Sequence, residues 1–320
     1  DTRWLQSYSG VRATIGADPV VTREDETFAF RHAYCYAISR LQANPSSHAR
    51  LVLARDPRPT GAALAAAQVQ GLTSACRDLG VTLELINLGI VSTPVWQHSV
   101  RLFQALGVEP IVINADEGHV AHEIDVEQRR ADGTHVLHDL AERVRAEGAL
   151  FGLAYDFDAD RGNLTFVDAT GAAQIPSPQA AAAINTAIAL AVHARGTDTR
   201  PAVVIASDAT SCRVRQIAAA FGAGVVEVET GEINVVTAMR DEERRGRRAV
   251  VGVEGPNGGT IFAGTTCRDG TLVGAGALLA AADAELRGII ARTLAPGRAL
   301  APGLAGLIET LPAQRSFMEK

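Results

Sequence analysis

Short apolar runs alternate with longer stretches of helical spacing along most of the chain. Residues 50–54 (RLVLA) form an apolar run that stops at a turn, and 61–79 carry apolar side chains at helical intervals. The pair returns as 81–88 and 95–106, and the rhythm continues through 111–114, 136–147, 150–155 and 164–167. After a proline-containing connection at 175–178, the Ala-rich stretch 180–194 reads as a packed helix. Asn185, Thr186 and His193 interrupt it, so it is no apolar span for a bilayer. The polar stretch 196–200 (GTDTR) is a turn-forming linker ahead of Pro201. Beyond it the alternation resumes as 202–206, 212–221, 225–228, 235–244 and 249–253. Strands separated by helices in this way predict βαβ units, hence an α/β fold with largely parallel sheets. Breaks near residues 101 and 197 divide the chain into three segments of like architecture, without a tandem repeat.

Composition narrows the class of partner. The 320 residues give room for about two domains, or for three small ones. A hydrophobic share of 47% with 21% charged residues belongs to a chain with sizeable cores. A net charge of −6 and a single lysine, Lys320, exclude the clustered basic surface that a nucleic-acid partner requires. Arg supplies nearly all the positive charge, and its planar fork suits phosphate or carboxylate. Cys35, Cys76, Cys212 and Cys267 lie far apart with no CxxC pair. They are expected to be mostly small buried hydrophobes in a reducing, cytoplasmic setting. No signal peptide or membrane span is visible, so no membrane partner is expected.

The sharpest chemical signal is Asp156-Phe-Asp158-Ala-Asp160-Arg161-Gly-Asn, directly after the run 150–155. Three carboxylates at alternate positions of one loop can turn toward one point, and their repulsion calls for a hard divalent cation. An EF-hand fails on spacing, because the sixth position is Arg161 and the twelfth is Val167. A metal loop with an adjacent Arg suits phosphoryl chemistry, where the two share the phosphate charge. A second signal is Glu254-Gly-Pro256-Asn257-Gly258-Gly, whose glycines permit close backbone approach. Its Glu254 and Asn257 could recognise sugar hydroxyls, although a plain hairpin turn accounts for it equally well. The charged loop 54–61 (ARDPRPTG) and Ser9-Gly-Val-Arg12 are weaker signals. The pairs His119/His122 and His135/His138 read as exposed polar positions, since nothing completes a zinc site around them.

Their order carries more than any one of them. S-G-V-R (9–12), R-D-P-R-P-T-G (55–61), G-I-V-S-T-P (89–94), D-F-D-A-D-R-G-N, T-G-E-I-N-V-V (230–236) and E-G-P-N-G-G together resemble the α-D-phosphohexomutase family. That family includes phosphoglucomutases and phosphomannomutases, and the resemblance runs from about Ser9 to about Arg268. It implies consecutive α/β/α sandwich domains with mixed, largely parallel sheets around a shared cleft. These would be an N-terminal domain over 1–101, a metal-binding domain over 102–197 and a sugar-binding domain over 198–285. Residues 286–320 would be a tail or linker toward the family's fourth domain, which this sequence lacks.

The resemblance also implies an activity. Hexose 1-phosphate and hexose 6-phosphate would interconvert through a phosphoserine and a bisphosphate intermediate, an intramolecular phosphotransfer dependent on Mg2+. Asp156, Asp158 and Asp160 would be the Mg2+ ligands, with Arg12 and Arg161 beside the transferring phosphoryl group. Arg55, Arg58, Glu254, Asn257, Gly258 and Arg268 would bind the substrate, a glucose or mannose phosphate. A homodimer is left open. The metal loop and the glycine-rich loop would act on different ends of the ligand, so Glu254→Ala should leave Mg2+ affinity nearly unchanged.

Two departures qualify the resemblance. After Thr93-Pro94 the family shows T-A-S-H-N-P, with its active serine and a nearby Lys, whereas here 97–106 runs into 107–113 and no S-H-N occurs. Either a discontinuity lies between about Ser92 and Leu106, or the serine is truly lost. Pro256 and a one-residue wider spacing from Glu254 to Asn257 also depart from the commoner loop. Two other classes therefore stand beside the mutase: a sugar-phosphate-binding protein that does not turn its ligand over, and a metal-dependent sugar phosphatase using water as nucleophile.

Overall fold

The computed structural model describes residues 4–7, 10–13, 20–56, 58–90, 96–112, 129–156, 158–299, 301 and 303–313. The chain divides into two compact units, 1–95 with 111–121 and 96–110 with 122–320.

The first unit opens with an antiparallel pair, β1 (Trp4–Ser7) and β2 (Gly10–Ala13). Helix α1 (Arg23–Ala43) follows, then β3 (His48–Arg55), α2 (Gly61–Asp78) and β4 (Thr82–Ile90). Strands β3 and β4 pair in parallel, as a strand–helix–strand crossover demands. The sequence pattern does not predict α1. Its buried apolar face is a stripe of alanines, Ala29, Ala33 and Ala37, too thin to stand out as amphipathic periodicity. Two other features make the helix. Thr22 and Asp25 form a reciprocal capping box, with the Asp25 backbone N–H donating to Thr22 Oγ1 at 3.2 Å. Gly71 of α2 lets the helices meet, since a Cβ there would stand 2.3 Å from the Phe30 carbonyl oxygen.

In the second unit, α3 (Trp96–Ala105) and α4 (His138–Glu147) precede the antiparallel sheet β5 (Gly152–Tyr155), β6 (Gly162–Val167) and β7 (Ala173–Gln174). The prediction of largely parallel strands does not hold here: the loop from β5 to β6 is far too short for a crossover, so the two form a hairpin. α3 occupies most of the stretch 92–106, and 91–95 lie outside the described residues. Of the run 111–114, 111 and 112 form no strand and 113–114 lie outside the described residues.

Helix α5 (Pro178–Arg195) is buried on nearly every side, from Ala181 through Ala191. It is the centre of one core reaching from Leu164 and Phe166 of β6 to Val204, Val251 and Val253 of a second sheet. That sheet has the order β11-β10-β8-β9, from β8 (Ala202–Ser207), β9 (Gly224–Val228), β10 (Arg248–Glu254) and β11 (Gly259–Phe262). β9, β8 and β10 are parallel and β11 is antiparallel. The crossovers α6 (Cys212–Ala220) and α7 (Glu232–Arg244) run in opposite directions along the sheet and so cover opposite faces. β8 shows this residue by residue: Val204 and Ala206 pack with Val214 and Ile217 of α6, Val203 and Ile205 with Val235 and Met239 of α7. The strand order therefore reverses between β8 and β10, and a crevice is expected beyond their carboxyl ends.

Helices α8 (Gly270–Ala282), α9 (Ala284–Leu294) and α10 (Gly303–Thr310) close the unit. Leu286, Ile290, Leu304 and Leu307 are buried in the same core as α5. Within 286–320, α9 and α10 thus pack into the core, with Leu311 just beyond them, while 300, 302 and 314–320 lie outside the described residues. The cysteines need correction. Cys76 is buried, whereas Cys35, Cys212 and Cys267 are exposed, the first two on helix surfaces and the last in the turn before α8. No helix among the described residues is long and apolar enough to cross a membrane.

Candidate functional site

The hairpin between β5 and β6 presents the three aspartates. Asp156, Asp158 and Asp160 each offer an oxygen within 4.8 Å of the others, the one such group of acidic, His or Cys side chains among the described residues. Arg161 shapes the loop from inside. Its backbone N–H donates to Asp156 Oδ1 at 3.1 Å, its Nε–H to Asp156 Oδ2. Ala159 turns the chain between the carboxylates with φ of 55°, in the left-handed region that a non-glycine residue enters only when its surroundings impose it. Here α8 imposes it. Asp269 caps that helix, accepting from the N–H groups of Thr271 and Leu272, and the Gly270 N–H donates to the Ala159 carbonyl at 3.3 Å. Both contact residues must be glycine. A Cβ on Gly270 would lie 2.9 Å from the Ala159 oxygen, and one on Gly162 2.7 Å from the Gly270 oxygen.

The charge balance of this loop fits a divalent cation. Asp160 Oδ1 is buried with no hydrogen-bond partner among the described residues. Burial pushes the Asp160 carboxyl up to about 7; Arg268 opposes the shift, and Asp156 and Asp158 add repulsion. Such a set of close, partly desolvated carboxylates, with one oxygen unsatisfied, is what a hard cation relieves.

The glycine-rich loop is the turn from β10 to β11, beyond the carboxyl ends where the strand order reverses. Glu254 is buried at its start and Asn257 half-buried at its tip, where Asn257 Oδ1 accepts from the Gly259 N–H at 2.7 Å. Gly258 adopts φ of 72° and returns its N–H to the Glu254 carbonyl at 2.9 Å. The supports come from far away in sequence. Thr210, in the turn after β8, accepts the Gly255 N–H at 2.9 Å and bonds the Ser207 hydroxyl at 2.9 Å. Asn185 of α5 donates to the Thr260 hydroxyl at 2.9 Å.

Arg268 joins the two loops. Its Nη2 donates to Asp160 and its Nη1 to Glu254 Oε2 at 3.3 Å, while its backbone N–H donates to Glu232 Oε1 at 2.8 Å. Asp156, Asp158, Asp160, Arg161, Glu254, Asn257, Gly258 and Arg268 are thus gathered in the second unit. The remaining predicted residues belong to the first. Arg12 lies in β2, and its side chain is outside the described residues. Arg55 ends β3, and Arg58 pairs with Asp56 at 3.0 Å. Of the histidine pairs, His119 and His122 lie outside the described residues. His138 is exposed, and His135 Nδ1 accepts the Leu137 N–H at 3.0 Å. Sequence reasoning gave no role to Glu232, though it lies in the T-G-E-I-N-V-V motif, and missed Thr210 and Asn185 entirely, since only the fold brings them to the loop.

The family model described as phosphoglucomutase/phosphomannomutase, alpha/beta/alpha domain I matches residues 5–117, and the domain III model matches 183–294. The chain belongs to the phosphoglucomutase/phosphomannomutase family. Among solved structures, a phosphoglucomutase/phosphomannomutase family protein of Burkholderia thailandensis superposes with a TM-score of 0.63 at 17% identity, over 94% of this chain and 78% of that one. At this identity the likeness shows the shared α/β fold. An N-acetylglucosamine-phosphate mutase of the α-D-phosphohexomutase superfamily matches with TM-score 0.47 and 11% identity, over 94% of this chain and 67% of that one. An N-acetylphosphoglucosamine mutase of Aspergillus fumigatus gives 0.46 and 15%, over 95% and 70%. No curated protein matches the sequence.

Proposed function

We propose that this family member is a Mg2+-dependent phosphohexomutase, interconverting hexose 1-phosphate and hexose 6-phosphate in the cytoplasm. The observation that carries the reading is the junction at Arg268, which brings the aspartate loop and the glycine-rich loop to one place. Mg2+ held by Asp156, Asp158 and Asp160 would neutralise the charge of a phosphoryl group and orient its oxygens. Arg161 keeps Asp156 turned inward and supplies positive charge at the transfer point, with Arg12. Glu254 and Asn257 accept and donate hydrogen bonds to sugar hydroxyls, close to the backbone of Gly258. By the family resemblance Arg55 and Arg58 would bind the substrate phosphate. The division into domains at 1–101, 102–197 and 198–285 around one cleft belongs to this proposal.

The absence of S-H-N from the sequence favours a second reading, a metal site that binds or hydrolyses the sugar phosphate without a phosphoserine. One experiment separates them. Glucose or mannose 1-phosphate is incubated with the protein, Mg2+ and a trace of hexose 1,6-bisphosphate, and followed by phosphorus NMR. Appearance of the 6-phosphate supports the mutase. Inorganic phosphate without 6-phosphate means a phosphatase, and an unchanged spectrum overturns both enzymatic readings.

A further inference from the structure

Arg268 faces more negative charge than one guanidinium needs. Its side chain is 15% exposed and lies between Asp160, Glu254 and Glu232, the last 3.8 Å from Nε. The three acids come from three elements: the metal loop, the end of β10 and the start of α7. Asp160 is therefore shared. The carboxylate that belongs to the cation-binding set is also the one that Arg268 holds.

We propose that Arg268 is a resident counter-ion that competes with the divalent cation for Asp160 and couples metal occupancy to the glycine-rich loop through Glu254. The inference rests on the reading of the aspartates as a metal site. Without a cation, Arg268 screens the repulsion in the loop and ties Asp160 to Glu254. A cation at the aspartates repels the guanidinium and takes Asp160 from it. The released Nη2 group then has Glu254 and Glu232 as its remaining acidic neighbours, or a ligand oxygen arriving beside Glu254. Metal binding first, followed by the sugar phosphate, is the resulting order. On this proposal Glu254 is coupled to the metal rather than independent of it. When Glu254 is neutral, Arg268 has one fewer acid to hold and leans harder on Asp160, so the cation must displace it at greater cost.

The test is calorimetric titration of Mg2+ into wild type, Arg268→Met, Glu254→Gln and the double variant, each checked for folding by circular dichroism. Arg268→Met should bind Mg2+ about tenfold more tightly and Glu254→Gln several-fold more weakly, within the range usual for coupled sites. In the Arg268→Met background the Glu254→Gln change should have almost no effect, a non-additivity that places the coupling in the guanidinium. If Arg268→Met does not fold, Arg268→Lys replaces it, because a single ammonium cannot hold both acids in a fork and should give the same direction with a smaller gain. Equal or weaker Mg2+ binding by the folded Arg268 variant, or additive effects in the double variant, overturns the proposal. Wild-type protein that takes up no Mg2+ overturns the metal reading as well, so the two failures are distinct.

Discussion

The two loops of the second unit reach their shapes by opposite routes. The aspartate loop is built largely from its own residues: Arg161 holds Asp156 and Ala159 turns the chain, while the Gly270 N–H and the Arg268 guanidinium enter from the segment just before and at the start of α8. The glycine-rich loop draws its order from Thr210, Ser207 and Asn185, up to 75 positions away. A self-contained loop carries its chemistry in contiguous residues. A borrowed one depends on the sheet beneath it, so damage to the sheet should reach sugar binding before it reaches metal binding.

The largest expected effect falls on the self-contained loop. Asp158→Asn should lower Mg2+ affinity about a hundredfold or more, since even residues behind metal ligands cost 10–100-fold when changed. Calorimetry that shows an unchanged affinity would remove the aspartates from the metal account. Gly270→Ala strikes the same loop through its backbone support from the start of α8. Its Cβ would sit 2.9 Å from two backbone atoms, so thermal melting should show a loss of about 1–3 kcal/mol together with weakened Mg2+ binding.

Thr210→Val tests the borrowed loop. It keeps the volume but leaves the buried Gly255 N–H without an acceptor, at a cost of about 1–3 kcal/mol in denaturant unfolding. KM for the sugar phosphate should rise by a larger factor than Mg2+ affinity falls. A matching fall in Mg2+ affinity would erase the distinction between the loops.

A smaller effect belongs to the aspartate loop alone. The folded Asp160 carboxyl sits near 7, above the unfolded value of about 3.9, so its proton favours the metal-free fold. That share of stability is present at low pH and is lost as pH rises from about 4 toward 7. Mg2+ reverses the sign, because it needs the carboxylate. Melting curves in chelator and in Mg2+ should therefore diverge as pH rises, and parallel curves would contradict the assignment.

How much was legible in the sequence follows the same division. The aspartates, Arg161, Glu254, Asn257 and most crossovers could be read because motif and period are local properties. Helix α1 offers no amphipathic pattern because its buried face is alanine, and α9 and α10 lie beyond the last motif. Glu232 stands in a motif that gives it no partner, and Thr210 and Asn185 have no local signal at all. Their roles arise from the strand order, which brings the turn after β8 beside the turn after β10.

The central claim, a divalent cation among Asp156, Asp158 and Asp160, is tested most directly by anomalous diffraction from crystals of the protein soaked in Mn2+. A single strong anomalous peak bounded by the three carboxylates is expected, with Arg268 withdrawn from Asp160. No peak at the loop, or a peak there with the Arg268–Asp160 contact intact and Asp160 off the metal, would contradict it.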